Sequence, residues 1–598
     1  MFTNKIHKKN ICLISGFIFI IFWLFPIWNM QDLAVFGDGN NYLAGIESFK
    51  VSILDYKQFP QNSPWQRGGR PESIYLISPI SIKFWFFIIF ETKTALSLYL
   101  LFCFIILFYG SYKVAGFYFR KELFKFFFAL LSIFNIALIF HLKAGHYIFL
   151  SFCYFPLILY FLFKYKTYKF AGVFSGYLFG LMLDDDLAYM SSYCILILGI
   201  FVINFFLNFK NDNRKKLLYW IYFFSLTSVC VVGYKLNIFY EIRAEFPRSD
   251  GSGYFSNILS LLKSYLIPYY DLQGGVFNAR RFCESTWENS VYIGLIAFLF
   301  IYYSFKNKLN SAHYILIFLM LLQLGTLPLL PYGLLQNFPI FESHVCYNRV
   351  RVFNSFYFSF LILFGFLYIS KNKDYFQKKY LKIYEYRNYL IIFILIERLF
   401  SSHLLMYNTY RSYENLNNSR YDSSYKTYNI LKKYKNNKEF FNYSILPPYE
   451  AIKQKIGIMR YGGDSYLPYI AYGDENYLGQ FAIDEKEYQG EFSIDKKSVK
   501  PGFWSPNIIE FTDLDLGKKL KLNMNPNRGW MLNGVPLFPN NKVWEPNKEF
   551  IVDIKESYLK FEYKQPGKTR GTIVNVLAII LLLISIVKLR NHRSKNNS

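Results

Sequence analysis

A polytopic α-helical membrane protein with a β-rich domain just before its last helix is the fold class that three observations predict. Of the 598 residues, 53% are hydrophobic and 21% aromatic, with 53 Tyr and 66 Phe, which is too apolar and aromatic for an ordinary water-soluble chain. The apolar residues come in runs, and a ruler of roughly twenty residues per span gives about twelve of them. One long polar segment, Tyr407 to Arg570, breaks this pattern and holds short runs of alternating hydrophobicity instead. The formal charge of +26 does not call for nucleic acid, because the basic residues punctuate the apolar runs where cytoplasmic loops belong.

Taken in order, Met1–Asn10 carries Lys5, Lys8 and Lys9, and the run Ile11–Trp28 has no small-residue cleavage site. It reads as a retained first helix with its N-terminus inside. Residues 29–78 form a long outer loop, and Pro79–Gly110 returns to the basic segment Lys113–Lys125. The third and fourth spans, Phe126–His141 and Tyr147–Phe163, leave Lys143, Gly145 and His146 outside. The fifth, Phe170–Leu183, is short and ends in Asp184-Asp185-Asp186 before the sixth, Leu187–Phe209. Three acids at that depth cannot face lipid, so they either line a water-filled recess or cap the sixth helix. Leu217–Leu236, Val291–Phe305, His313–Leu335, Phe353–Ser370 and Asn388–Met406 continue the alternation, and Thr572–Val587 closes it ahead of Lys588-Leu589-Arg590. The Lys/Arg asymmetry of the loops fixes the sides, with both termini cytoplasmic. The domain plan is therefore a multi-spanning unit over 1–406, an extracytoplasmic β-rich unit over 407–570, and a final helix with a basic tail over 571–598.

Within the outer unit, Phe550–Ile554 and Tyr558–Tyr563 alternate as strands do, and Asn533-Gly534 between apolar residues predicts a two-residue hairpin turn. Tyr407–Lys435 reads as helical or loose. Of seven cysteines, five fall in apolar spans as small hydrophobes, while Cys283 and Cys346 fall in outer loops where a disulfide is one option.

The first outer loop holds the stretch with most chemical content. In Phe36-Gly37-Asp38-Gly39-Asn40-Asn41-Tyr42 two glycines flank a carboxylate and two amides stand beside it, which suits close approach to a ligand. The same residues also suit a plain turn.

Asn525-Pro526-Asn527-Arg528-Gly529-Trp530, then Leu532-Asn533-Gly534-Val535-Pro536, then Phe561-Glu562-Tyr563 and Gly571 ahead of the last span resemble the closing segment of YfhO-like bacterial membrane proteins. Gly145-His146, Asn289-Ser290-Val291-Tyr292-Ile293-Gly294 and Arg349-Val350-Arg351 fit the same pattern. Asn527 and Arg528 interrupt the family's Pro-Gly-Trp, and no proline stands between the two arginines. That family resembles a branch of the GT-C superfamily, membrane glycosyltransferases that take a sugar from a polyprenyl-phosphate carrier. The resemblance implies a GT-C-like helical core with an acid in the first outer loop, a position that Asp38 matches. Asp184–Asp186 find no match, since second acidic motifs there usually lie in an earlier loop.

Glycosyl transfer to a hydroxyl needs a base on the acceptor, support for an oxocarbenium-like centre and a group to bear the departing phosphate. These demands assign Asp38 as base and Arg349, Arg351, Lys143 and His146 to the donor phosphate, because guanidinium forks match phosphate oxygens. The two arginines also read as headgroup anchors, and His146 as a residue packed at a helix end. Asp184 and Asp186 with Asp38 are candidate ligands of a divalent cation, Mg²⁺ or Mn²⁺, and Asp185 shares their acidic cavity. The expected function is an inverting hexosyltransferase of the cytoplasmic membrane. Its partners would be the lipid bilayer, a polyprenyl-phosphate-linked sugar donor and a cell-envelope glycan, lipid or polymer as acceptor. The alternatives are a transporter or flippase of lipid-linked saccharides, which would favour internal repeats, and a non-catalytic envelope assembly protein.

Overall fold

In this computed structural model residues 2–28, 37–63, 70–71, 77–143, 145–185, 189–208, 211–245, 258–266, 291–324, 335, 347–402, 492–522, 528–538 and 550–596 are described. Asp186, Cys283, Cys346, Asn525–Asn527 and Tyr407–Lys435 lie outside these residues, as do the side chains of Asp38 and Lys143.

The helices up to residue 266 are α1 (Phe2–Trp28), α2 (Gly37–Leu54), α3 (Ile82–Ile89), α4 (Thr92–Ala115), α5 (Glu122–Ile133), α6 (Ile136–Lys143), α7 (Phe155–Phe163), α8 (Ala171–Asp185), α9 (Met190–Asn208), α10 (Asn211–Glu245) and α11 (Ile258–Leu266). Then come α12 (Leu295–Phe305), α13 (Ser311–Leu322), α14 (Arg351–Lys371) and, near the end, Lys568–Asn596. Among the described residues six helical stretches are long and apolar enough to cross a membrane: Thr92–Ala115, Glu122–Leu142, Met190–Asn208, Asn211–Ile238, Arg351–Lys371 and Lys568–Val587. Four shorter apolar helices, Lys9–Leu24, Tyr147–Phe163, Leu295–Phe305 and Ser311–Leu322, accompany them. The chain is a multi-pass membrane protein, and the described residues supply six helices of full spanning length beside shorter apolar ones.

Local chemistry explains where apolar runs break. The run Pro79–Gly110 divides at Glu91, whose carboxylate accepts from the Lys93 and Thr94 amides and so caps a new helix. The run from 122 to 142 bends at Asn135, whose Oδ1 accepts from the Leu138 amide at 3.1 Å while Nδ2 donates to the Val352 carbonyl at 2.8 Å. Its competition with the backbone is the usual behaviour of Asn inside a helix. Tyr147–Tyr154 is a 3₁₀ segment that leads directly into α7.

The Asp38 stretch is not a flexible loop: the backbone is helical from Gly37 to Leu54. Asp and Asn favour a helix start, and Tyr42, Leu43, Ile46 and Phe49 place a buried face toward the bundle.

Close approach of α8 and α10 comes from a ridge of small residues. Gly172, Gly176 and Gly180 recur every four positions, so they lie along one face of α8. A Cβ at Gly172 would stand 2.7 Å from the Trp220 carbonyl oxygen, and one at Gly180 would stand 2.6 Å from the Val231 Cβ. Ser228 Oγ donates to the Gly176 carbonyl at 3.0 Å across the same seam. The next residue on that ridge is Asp184. The final helix packs on α10 as well, through Asn575 Oδ1 accepting from the Tyr234 amide at 3.2 Å and Tyr222 against Ser585 at 2.9 Å.

The small pair β1 (Asn62–Ser63) and β2 (Arg70–Pro71) follows α2. Among the described residues between 492 and 563 nine strands form two antiparallel sheets: β3 (Phe492–Ile494), β4 (Lys497–Ser498), β5 (Phe503–Trp504), β6 (Ile508–Phe511), β7 (Lys519–Leu522), β8 (Trp530–Leu532), β9 (Val535–Pro536), β10 (Phe550–Asp553) and β11 (Leu559–Tyr563). Their orders are β10-β7-β3-β4 and β5-β6-β11-β8-β9. Phe492, Phe511, Leu520, Trp530, Phe550 and Phe561 fill the space between them. The predicted hairpin turn is present: Asn533 and Gly534 both have positive φ, 46° and 84°, and Leu532 pairs with Val535.

Gly172→Ala should destabilise the folded protein by about 1–3 kcal/mol through overpacking against α10. Gly199→Ala, where nothing lies within 4 Å of the new Cβ, should be neutral. Thermal unfolding of both variants in the same detergent checks the contrast.

Candidate functional site

Two polar clusters meet where α2 packs against α3 and α4. The first is built on charge. Asp184 accepts from the Ser78 amide through both oxygens, at 3.2 and 3.0 Å. Lys235 of α10 lies 3.7 Å from its carboxylate and also donates to its main-chain oxygen. Asp185 pairs with Lys83 of α3 at 2.6 Å and accepts a hydrogen bond from the Tyr99 hydroxyl. Tyr99 and Tyr154 hydroxyls are 3.0 Å apart. Lys83, Lys235 and Asp184 are all buried.

Unpaired charges at this depth would be driven to neutralise, but two lysines opposite two aspartates balance each other, and the flanking phenols and amide satisfy further lone pairs. The carboxylates of Asp185 and Asp184 are thus held by Lys83 and Lys235.

The Lys83 ammonium also lies 5.1 Å from the centre of the Tyr42 ring, which ties the cluster to α2. Burial pushes the Tyr42 phenol up to about 12, with Lys83 pulling the other way. Tyr42 is therefore neutral at physiological pH. Its ring is 5.5 Å from that of Tyr147.

The second cluster is aromatic and cationic. His141 and His146 face each other with their Nδ1 atoms 3.2 Å apart, so one donates to the other, and His141 stacks on Phe149 at 3.8 Å. The guanidinium of Arg349 sits 4.1 Å from the Tyr189 ring centre and 5.6 Å from that of Phe149. Arg349 and His146 are both buried. The first turn of α2 closes on this cluster: a Cβ at Gly39 would meet Tyr147 Cε2 at 2.9 Å and Gly145 Cα at 3.0 Å. Only glycine allows that approach, and Asp38 is its chain neighbour.

The two arginines, adjacent in sequence but for Val350, separate in role. Arg351 Nε donates to Gln323 Oε1 at 3.0 Å and Nη2 to Ser264 Oγ at 3.2 Å, while Asn354 donates to Tyr265 at 2.7 Å within the same network. Arg351 joins α11, α13 and α14, whereas Arg349 faces the histidine and tyrosine rings.

The structure thus brings together the backbone of Asp38, His146, Arg349 and, through Tyr42 and Lys83, Asp185 and Asp184. Lys143 ends α6, two residues beyond His141. Among the described residues no group of three or more His, Cys, Asp or Glu side chains is placed to hold a metal ion. Lys83, Lys235, Tyr99, His141 and Tyr189 are not among the candidates that the sequence offers. A lone lysine inside an apolar run, as at Lys83 and Lys235, was the available signal, because such a charge needs a partner.

No protein-family model and no curated protein matches the chain. The solved structure of the arabinofuranosyltransferase AftD from mycobacteria is similar to 63% of this chain, at 11% identity and a TM-score of 0.37. The match spans only 26% of that protein, about a quarter of its length.

Removing one member of the charged cluster leaves its partner buried and unpaired, so Lys83→Ala should cost about 3–5 kcal/mol of stability. The double change Lys83→Met with Asp185→Leu should cost far less. Equilibrium unfolding in mixed micelles measures both, and equal losses would contradict the pairing.

Proposed function

We propose that this chain is a membrane glycosyltransferase that moves a sugar from a polyprenyl-phosphate-linked donor to a cell-envelope glycan, lipid or polymer on the outer face of the cytoplasmic membrane. The observation that carries the reading is the contact of the Gly39 turn with Gly145 and Tyr147, which sets the residue beside Asp38 against the His146 and Arg349 cluster. The YfhO-like resemblance and the GT-C plan it implies agree with an acid at this position.

In the proposed mechanism Asp38 takes the proton of the acceptor hydroxyl as that oxygen attacks the anomeric carbon, and the phosphate departs from the opposite face. Such a displacement inverts the anomeric centre. A carboxylate at the first turn of a helix is favoured by the helix dipole, which keeps it charged and ready to accept a proton. Arg349 bears the charge of the departing phosphate, and rings flanking a guanidinium keep it desolvated and oriented. His146 and Lys143 are assigned as further donors. Arg351 is assigned to the scaffold on account of its bonds to Gln323 and Ser264. A hexose donor, and a divalent ion on Asp38 with Asp184 and Asp186, complete the proposal. With Asp184 already paired to Lys235, that ion would have to compete with the lysine.

The test is transfer of labelled sugar from polyprenyl-phosphate donors into envelope material by membranes carrying wild type or Asp38→Asn at equal abundance. Transfer should fall roughly 10²- to 10⁴-fold in the variant, the usual worth of a general base. Unchanged transfer removes Asp38 from the mechanism. Absence of any transfer, with lipid-linked saccharide accumulating on the inner face of null cells, favours the flippase.

A further inference from the structure

Among the described residues the β-rich domain touches the membrane unit at the segment that follows α2 and at α10. The turn between β5 and β6, Ser505-Pro506-Asn507, inserts its tip against residues 58–62. The buried carboxamide of Asn507 accepts from the Gln61 and Asn62 amides, both at 3.2 Å, and donates to the Phe59 carbonyl at 2.8 Å. Gln58 Nε2 donates to Ser505 Oγ at 2.9 Å, and Asn62 Nδ2 donates to the Pro506 carbonyl at 3.1 Å. Gln61 Oε1 accepts in return from the Gln565 amide at 3.2 Å. These are contacts across more than four hundred residues of chain, so they are specific to the fold and not to local sequence.

The held segment reaches back to α2. Ser63 follows Asn62 in β1, and its hydroxyl accepts from Ser48 Oγ of α2 at 2.7 Å in a buried pair. The Gln58 amide donates to the Ser52 carbonyl at 3.0 Å, folding the segment onto the end of the same helix. At the other end α2 is stopped by Gly145 and Tyr147. The second place of contact is α10, where Glu241 pairs with Arg528 at 2.9 Å and Arg570 at 3.4 Å. The β-rich domain therefore grips both the segment after α2 and the helix that supplies Lys235.

We propose that the Ser505-Pro506-Asn507 turn is a positioning element of the candidate site: it fixes residues 58–63 and, through Ser63 and Ser48, the orientation of the helix whose first turn carries Asp38. Asn507 is its central residue. One amide side chain makes three backbone hydrogen bonds to residues 59–62, at the start of β1, and buried backbone groups there would otherwise be left unsatisfied. The inference rests on the reading of Asp38 as the acting carboxylate for its effect on rate, but not for its effect on structure.

The experiment uses the full chain in lipid nanodiscs with Asn507→Ala, Asn507→Asp and Ser48→Ala. Amide hydrogen exchange over 45–63 should rise roughly tenfold or more in Asn507→Ala while exchange in α4 stays as in wild type, as local release of a foldon does. Sugar transfer should lose roughly ten- to a hundredfold in kcat with donor KM within about twofold, since a small misplacement of a reacting group has that scale of effect. Asn507→Asp keeps the acceptor and should recover much of both readouts. Ser48→Ala breaks the link from the other side, and its effect should not add to that of Asn507→Ala. Unchanged exchange over 45–63 in folded Asn507→Ala, or a rise spread through the whole chain, overturns the proposal. If wild type transfers no sugar, the functional reading fails, and the exchange measurement still decides whether the turn positions α2.

Discussion

Burying charge inside an apolar bundle is the constraint on which the rest of this structure depends. Lys83, Lys235, Asp184 and Asp185 lie where lipid or protein surrounds them, and they persist there because each positive group has a negative one within reach. Their pairing fixes the ends of α3, α8 and α10 relative to one another. The glycine ridge of α8 makes that pairing possible: by letting α10 approach to backbone contact, it brings Asp184 to Lys235 at the top of the same seam. Packing and electrostatics are thus one device, and α2 lies across it through Tyr42 and Lys83.

The consequence for function is a division of labour among charged residues that looked alike. Side chains whose polar partners hold neighbouring elements together, such as Arg351 with Gln323 and Ser264, belong to the frame. Arg349 and His146 lie among the rings of Tyr189, Phe149 and His141, the cluster to which the proposed mechanism assigns the phosphate. The β-rich domain adds to the frame by gripping the segment after α2 and the end of α10.

Much of the coarse fold was legible in the sequence, because apolar run length and basic punctuation are direct consequences of bilayer thickness and loop charge. The Asn533-Gly534 turn was equally legible, since few dipeptides accept two successive positive φ angles. Less legible were the breaks at Glu91 and Asn135, where a side chain captures backbone donors and ends a helix inside an apolar run. The helix beginning at Gly37 was hidden because Gly-Asp-Gly-Asn suits a turn and a helix start alike. At the site, Asp38, His146 and Arg349 stood out from their positions, but the partners of Asp184 and Asp185 did not. Lys83 lies 102 residues from Asp185, and only the fold brings such distant residues together. The separation of Arg349 from Arg351 was likewise beyond sequence, since it depends on how the 3₁₀ turn Tyr347–Val350 runs into α14.

That separation offers the most direct measurement of the account. A short-chain polyprenyl phosphate would be titrated into the purified full chain in nanodiscs as wild type, Arg349→Ala and Arg351→Ala, with unfolding measured on the same samples. A charged hydrogen bond to phosphate contributes about 1.5–3 kcal/mol, so Arg349→Ala should weaken binding roughly ten- to a hundredfold at nearly wild-type stability. Arg351→Ala should chiefly lose stability. Equal binding by wild type and Arg349→Ala, or loss of binding confined to Arg351→Ala, would contradict the placing of the phosphate at the His146 and Arg349 cluster.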